Sequence, residues 1–84
     1  MSRLRYRVLE DGRWGVIKWF SIEKGWGFIV PENDETKEDV FLHGSYVKGT
    51  WLPQEGNVVD FSLAVDLYTD RIYAVDVHYD RENL

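Results

Sequence analysis

The strongest constraint in this sequence is an alternation of aromatic and aliphatic side chains in the stretch "KGWGFIV", residues 24–30. Successive side chains of a β-strand point to opposite faces, so Trp26 and Phe28 share one face and Ile29 takes the other. If Ile29 faces a core, both aromatic rings face solvent. Two large exposed rings, in a segment whose glycines weaken a strand, indicate a surface with a function beyond packing.

The stretch "DVFLHG", residues 39–44, repeats this pattern. Val40 and Leu42 share one face, and Phe41 and His43 share the other. The polar segment "ENDETK" between the two stretches predicts a hairpin, which would set the two strands side by side. Placing the aliphatic side chains in the core then leaves four flat rings on one outer surface.

The rest of the chain has the short β-branched and aromatic segments that are typical of an all-β protein. Helical periodicity does not persist beyond one turn, which we predict at residues 45–48. Strands are predicted over residues 14–21, 26–30, 39–44, 57–65 and 71–79. Five short antiparallel strands indicate a closed or nearly closed barrel, because closure removes exposed sheet edges.

Alternation also assigns an apolar face to each of the last two predicted strands. In the fourth strand this face carries Val59, Phe61, Leu63 and Val65, with Asp60 and Ser62 opposite. In the fifth strand it carries Tyr73, Val75 and Val77, with Asp76 and His78 opposite. The link "DLYTD" between the two strands predicts a second hairpin.

Length and composition limit the class of protein. The chain has 84 residues, which indicates one domain, and it has no cysteine for a disulfide framework or a thiolate metal site. Its apolar runs are shorter than the ~20 residues of a membrane span, and the N-terminus lacks a secretory signal, so we expect a cytoplasmic protein. The net charge of −5 is concentrated in residues 32–39 and 55–84, and the aromatic segment is neutral to mildly basic.

Flat rings interleaved with lysines are typical of a stacking surface for unpaired bases. Each stacked base contributes ~1–3 kcal/mol whatever its identity, while lysines hold phosphates. We expect the glycines at positions 25 and 27 to leave room for a base to lie flat. The predicted nucleic-acid-binding residues are Lys18, Trp19, Phe20, Lys24, Trp26, Phe28, Phe41 and His43.

These motifs resemble the cold-shock protein family, in which a "KWF" strand precedes a "KGFGFI" motif and then a "VFVH" motif. Here the three read "KWF", "KGWGFI" and "VFLH". The resemblance implies a five-stranded antiparallel OB-fold (oligonucleotide-binding) barrel, predicted over residues 14–80. It also implies binding of single-stranded RNA or DNA, of the RNA-chaperone or transcription-antiterminator type. Trp51, in the long loop, resembles a further stacking aromatic of the family.

Three departures from the family pattern bear on affinity. Trp26 stands where the family usually has Phe, which enlarges the stacking surface. Gly44 stands where the family usually has another aromatic, so we expect one stacking site to be missing. The family's Gly-Pro-Gln-Ala stretch before the last strand is replaced by "DRIYAVDV", where Arg71 offers a contact to the nucleic-acid backbone.

Simpler interpretations of the same residues stay open. Aromatic residues at period two are commonly core residues, Lys18 and Lys24 can be ordinary surface lysines, and Trp51 can plug one end of the barrel. An enzyme, a cofactor and a metal are not expected, because the chain lacks a cysteine nucleophile, a glycine-rich phosphate loop and histidines at metal-ligand spacing. The main alternative is a protein-interaction module that uses the aromatic patch or the arginine-rich arm to bind a protein partner.

Residues 1–13 lie outside the resemblance and form a basic arm. In "RLRYRVL" the basic residues Arg3, Arg5 and Arg7 alternate with apolar ones, which is a strand pattern. Asp11-Gly12 is a favoured two-residue hairpin turn, so we predict that the arm folds back as a sixth strand. Its arginines would then extend the nucleic-acid path or bind an acidic partner.

Overall fold

The computed structural model describes residues 4–32 and 38–80 of the chain. Its strands are β1 (Tyr6–Ser21), β2 (Trp26–Pro31), β3 (Val40–His43), β4 (Val58–Asp66) and β5 (Ile72–Tyr79). A 3₁₀ turn at Gly44–Tyr46 follows β3, one residue earlier than the helical turn predicted from the sequence. Four strands agree with the sequence prediction to within one residue at each end, but β1 begins at Tyr6 and not at Trp14.

The strands close into a barrel in the order β1-β2-β3-β5-β4, which confirms the predicted all-β barrel. The pairs β1–β2, β2–β3, β1–β4 and β4–β5 are antiparallel, whereas β3 and β5 pair in parallel to complete the closure. β1 pairs with β2 over residues 15–21 and with β4 over residues 6–16. The closure therefore depends on one long strand that has a different neighbour along each half.

The barrel interior is filled mainly by aliphatic side chains. Ile29 and Leu42, predicted to face the core, are fully buried, and Val40 is nearly so. The buried cluster around them adds Ile17, Val59, Phe61, Ala74 and Val77. Each large aliphatic side chain removed from water contributes about 1.5–3 kcal/mol. This core occupies the inner faces of β2 and β3, so the aromatic residues that alternate with it lie on the outer face.

The predicted apolar face of β4 is correct from Val59 to Leu63, because Val59 and Phe61 are buried in the core and Leu63 packs against the same cluster. Ser62, predicted to lie on the opposite face, is buried like Phe61, while Leu63 and Val65 are only half-buried. Ser62 and Ala64 share the other face of β4, where Ala64 clusters with Tyr73 and Val75, so both faces of the strand are covered at this level. The bulges here lie in the two neighbouring strands, β1 and β5.

In β5, Asp76 and Val77 together face Phe61, and Asp76 has a φ of +54°. In β5 the predicted burial is correct, because Tyr73, Val75 and Val77 are buried and Asp76 and His78 are exposed. The single predicted face is wrong, because the bulge at Asp76 reverses the alternation. Val77 joins Ala74 in the core cluster, whereas Tyr73 and Val75 belong to a second buried cluster.

The predicted hairpin turn at Asp11-Gly12 is wrong. β1 runs straight through these residues, and Asp11 and Gly12 together lie opposite Ser62 as a bulge. Gly12 has a φ of +69°, a conformation that glycine adopts at hairpin turns and at bulges alike. The Ser62 hydroxyl donates a hydrogen bond to Asp11 Oδ1 (2.7 Å) across the bulge. The arm is therefore a strand, as predicted, but it extends β1 and does not fold back as a sixth strand.

A buried carboxylate fastens this arm to the turn between β4 and β5. Asp66, whose side chain is 3% exposed, accepts hydrogen bonds from Arg5 Nε (3.1 Å) and from the Tyr73 hydroxyl (2.8 Å). It also accepts from the backbone N–H groups of Tyr68 (2.8 Å) and Thr69 (3.0 Å). The Leu67 N–H donates to the Arg5 carbonyl oxygen (2.8 Å), so the arm and the turn are joined by backbone and side chains.

Three tyrosine rings pack beside this carboxylate. Tyr46 stacks on Tyr73 with centroids 5.4 Å apart, and Tyr6 from the arm meets Tyr46 edge-on at 5.6 Å. Burial, hydrogen bonding with Tyr46 and the Asp66 carboxylate together raise the pKa of Tyr73. For Asp66, burial alone would raise the pKa. The hydrogen bonds from Tyr68, Tyr73 and Thr69 and the charge of Arg5 outweigh burial and hold the pKa of Asp66 at about 2.

This lowered pKa predicts a pH-dependent stability. The folded-state pKa of Asp66 lies below its ordinary value of 3.8, so its stabilising effect is complete above about pH 4 and is lost as the pH falls towards 2. We expect Asp66→Asn to lower the melting temperature by several degrees at pH 7, because the amide loses the charge and two of its acceptor sites. The difference between wild type and variant should narrow as the pH falls from about 4 through 2. Asp70→Asn, which removes an exposed carboxylate of the same turn, is the control and should melt like wild type. A difference of Asp66→Asn that is independent of pH would contradict this account.

Candidate nucleic-acid interface

The pairing of β2 with β3 brings the predicted aromatic residues together. Trp26 pairs with His43 and Phe28 pairs with Phe41, which places all four side chains on the outer face of this hairpin. The ring centroids of Phe41 lie 5.8 Å from Trp26 and 5.7 Å from Phe28. Trp26, Phe28 and Phe41 are half-buried and His43 is exposed. The opposed-face pattern of the sequence thus predicted this surface correctly.

Trp19 joins these rings because β1 carries an extra residue. Ile17 pairs with Ile29 and Trp19 pairs with Phe28, so Lys18 is inserted as a bulge. In a regular strand Trp19 would share the inner face of Ile17, but the bulge turns it outward, where it is 37% exposed. Its ring lies 5.1 Å from Trp26 and 5.5 Å from Phe28. We call the four rings of Trp19, Trp26, Phe28 and Phe41 the platform.

The predicted basic residues lie at the edge of the platform and differ in the contacts they make. Lys24 Nζ lies 5.9 Å from the centroid of the Trp26 ring, a cation–π geometry that leaves the ammonium group near the stacking surface. Lys18 Nζ is 2.8 Å from Asp39 Oδ2 and so forms an ion pair on the surface. His43 Nδ1 accepts a hydrogen bond from the Ser45 N–H (3.1 Å), which fixes the direction of the imidazole. Lys24 is therefore the more available cation of the two lysines.

Two other predicted binding residues lie apart from the platform. Phe20 is half-buried and packs against the core, because the bulge that turns Trp19 outward turns the next side chain inward. Trp51 also packs against the core, stacks on Tyr79 at 5.3 Å and donates from Nε1 to the Lys48 carbonyl oxygen (2.6 Å). The plug interpretation of Trp51 fits this position, and a role for either residue in binding stays a prediction.

The glycines of this segment have a different role from the one expected. A Cβ atom on Gly27 would overlap the Trp19 carbonyl oxygen and lie 2.7 Å from Phe20 Cα, so Gly27 lets β1 approach β2 closely. Gly25 has a φ of +80° with open space beside it, which makes it a turn residue. Gly27 therefore clears no space for a base, while for Gly25 that role stays a prediction. Gly44 has a neighbour too, because a Cβ atom there would lie 3.1 Å from the Gly25 carbonyl oxygen.

Sequence reasoning missed Tyr46, Ile72 and Tyr73, which extend this surface beyond Phe41, whereas it named Arg5 and Arg71 as contacts to nucleic acid. Tyr46, Tyr73 and the exposed Ile72 line a groove there, together with Arg5 and Arg71. Tyr46 lies within the predicted helical turn and Tyr73 on a predicted buried face, so their local patterns indicated packing only. The arm's alternation identified Arg5 as exposed, but a tertiary contact between the arm and the β4–β5 turn decides where it points.

Within residues 4–32 and 38–80, the structure holds no group of three or more His, Cys, Asp or Glu side chains that could bind a metal ion. In the same part of the chain, no helix has the length and apolar character needed to cross a membrane.

A closed five-stranded barrel with an aromatic outer face on β1, β2 and β3 defines an oligonucleotide-binding-type barrel. The sequence matches the family model described as the "'Cold-shock' DNA-binding domain" over residues 13–79. This match covers most of the chain, so the protein belongs to the cold-shock domain family. The cold-shock domain is a nucleic-acid-binding domain, and the resemblance noted in the sequence is confirmed.

Individual relatives support the same assignment. The chain is 45% identical over 49 residues to the Major cold shock protein of Micrococcus luteus, covering 56% of this chain and 70% of that protein. It is 41% identical over 51 residues to the Probable cold shock protein A of Mycobacterium tuberculosis, covering 58% and 73%. It is also 45% identical over 49 residues to the Cold shock domain-containing protein C2 of Rattus norvegicus, but there the match spans only 30% of the relative.

The close approach at Gly27 yields a prediction about stability. Gly27→Ala should destabilise the barrel by about 3 kcal/mol or more, the upper end of overpacking costs, because the new methyl group meets backbone atoms that cannot move aside. Gly25→Ala is the matched control and should cost only about 1–2 kcal/mol, the strain of a left-handed alanine. Chemical denaturation of both variants measures the two costs. Equal costs would show that the close approach of β1 to β2 does not limit this position.

Proposed function

We propose that the platform binds single-stranded RNA or DNA by stacking unpaired bases on its rings. The observation that supports this most is the position of four aromatic side chains on the outer face of the barrel, with neighbouring centroids 5.1 to 6.2 Å apart. The core on the opposite face is already filled by aliphatic side chains. Phe41 also packs against a second buried cluster, but the rings of Trp19, Trp26 and Phe28 lie outside both clusters. These rings present flat apolar faces to a ligand.

The tilts of the rings suit a flexible single strand. Trp19 and Trp26 are inclined by 59°, and Trp26 and Phe41 by 37°, so the rings do not form one continuous stack. Each ring instead offers its own face to a base. A single strand can rotate successive bases to match these faces, whereas a duplex holds its bases stacked on each other. The platform therefore favours unpaired bases and reads their identity only weakly.

The charge of the interface makes stacking the main source of affinity. The chain carries a net charge of −5, and Lys18 is already paired with Asp39. Lys24 remains beside the platform to approach a phosphate. Because log K changes with log salt by about −0.7 per phosphate contacted in a single strand, one to three contacts give a shallow slope of roughly −0.7 to −2.

The biological activity that follows is of the RNA-chaperone or transcription-antiterminator type. A protein that captures unpaired bases shifts weak RNA hairpins towards the open form, because it binds the open form alone. This activity, with action in the cytoplasm, is the proposal that fits the interface and the family. A modest preference for pyrimidine-rich strands is expected from the resemblance to the cold-shock proteins.

Removal of a platform ring tests the proposal directly. Trp26→Ala and Phe28→Ala should each weaken binding to a single-stranded oligonucleotide by ~1–3 kcal/mol, or roughly 5- to 150-fold, because one stacking face is lost. Trp14→Ala is the matched control, since Trp14 is 40% exposed and makes no ring contact with the platform among the described residues. Quenching of tryptophan fluorescence by the oligonucleotide provides the affinity. If both platform variants fold normally and bind like wild type, the platform is not the nucleic-acid site, and a protein partner becomes the better explanation of the exposed rings.

Competition between strand forms tests the selectivity. A duplex of the same sequence should compete at least tenfold less well than the single strand, because a paired base has no free face for a ring. The measurement is displacement of a labelled single strand from the wild-type protein. Equal competition by the two forms would indicate a purely electrostatic contact with the backbone.

A further inference from the structure

A groove leads from the platform to the junction of the arm with the β4–β5 turn. It has a volume of about 850 Å³, and Phe28, Phe41 and His43 line one end of it. Arg5 and Arg71 line the other end. The groove is therefore continuous with the platform, and a strand stacked on Phe41 has an open path into it.

We propose that this groove receives the part of the bound strand that leaves the platform, and that Arg5 binds a phosphate of that part. The proposal rests on the proposed function, since its ligand is the same single strand. It extends the interface onto the arm, which lies outside the residues matched by the cold-shock family model. The arm thereby becomes part of the binding surface.

Arg5 is held in position before any ligand arrives. Its Nε donates to Asp66 Oδ2 (3.1 Å), and its guanidinium group lies 5.8 Å from the centroid of the Tyr68 ring. A guanidinium group has five N–H donors in a rigid plane, and this bond uses one of them. The side chain is nevertheless 63% exposed. Arg5 thus combines a fixed orientation with donors that face solvent, an arrangement suited to a phosphate.

The charge of the groove favours an anion despite the acidic chain. Its charged lining residues are Arg5, Arg71 and Asp66. The Asp66 carboxylate is almost fully buried and accepts hydrogen bonds from four groups, so its negative charge is compensated inside the protein. The two arginines are both exposed. A ligand in the groove therefore meets a positive surface, in contrast to the rest of a chain whose net charge is −5.

The walls of the groove favour a nucleotide over a free ion or an acidic peptide. Between the two ends stand Tyr46, which is half-buried, and Ile72, which is 52% exposed. An apolar wall beside a cation suits a ligand that carries a flat or apolar part next to its phosphate. A strand already anchored by stacking also arrives at high effective concentration, so even one weak contact adds to its affinity.

Strand length and one substitution test the proposal together. Wild type should bind a single strand of about eight nucleotides more tightly than one of about four, because only the longer strand reaches the groove. Arg5→Gln should weaken binding of the longer strand about three- to tenfold and leave the shorter strand unchanged. It should also reduce the salt slope for the longer strand by about 0.7, the value of one phosphate contact. Arg7→Gln is the matched control, since Arg7 is exposed on the same arm but does not line the groove.

A second pair of variants leaves Arg5 and its bond to Asp66 in place. Ile72→Glu introduces a negative charge at an exposed position of the groove, so it should weaken the longer strand selectively, while Ile72→Gln should not. If Arg5→Gln and Ile72→Glu both retain wild-type affinity for the longer strand, or weaken both lengths equally, the groove does not hold the strand. That result differs from failure of the proposed function, in which the wild-type protein would bind neither length.

Discussion

The fold and the interface both depend on how β1 serves two neighbours. It must keep Ile17 in the barrel core, yet the Trp19 ring, two residues later, must face outward beside β2. An extra residue at Lys18 makes both orientations possible, because it leaves Ile17 in the core and turns Trp19 onto the outer face. The close contact with β2 at this level is possible because Gly27 has no side chain. The bulge at Lys18 and the close contact at Gly27 thus join β1 to β2 in the barrel and add Trp19 to the platform.

The sequence predicted those parts of the fold in which the strands are regular. In β2 and β3, strict alternation identified the buried aliphatic side chains and the outward rings, and the hairpin register then brought the rings together. Alternation failed in β1 and β5, where bulges change which side of the strand faces inward. A bulge leaves only a weak trace in a single sequence, since Asp-Gly is equally suited to a hairpin turn and to the bulge found at Gly12. A glycine with a positive φ shows that the backbone departs from a regular strand, but it does not tell a hairpin turn from a β-bulge.

In the candidate site too, strand alternation predicted some residues, whereas contacts between distant segments place the others. Trp26, Phe28, Phe41 and His43 could be predicted because each lies opposite an aliphatic residue of its own strand. Phe20 was assigned to the surface together with Trp19, but the bulge separates the two side chains, and Phe20 packs against the core. Tyr46 and Arg5 reach the groove only through contacts between distant segments, such as the bond from Arg5 to Asp66 across 61 positions of the chain. Periodicity carries no information about such contacts.

An acidic protein that binds a polyanion must separate the two charges in space. Here the acids are concentrated in residues 32–39 and 55–84, whereas the platform itself is uncharged and has Lys24 at its edge. Asp66 stands closest to the groove, but four hydrogen bonds enclose its carboxylate, and in doing so they orient Arg5 towards solvent. The buried acid therefore supports the cation that a phosphate would meet. In the proposed binding mode, stacking supplies most of the affinity, so a net charge of −5 is compatible with binding to single-stranded nucleic acid.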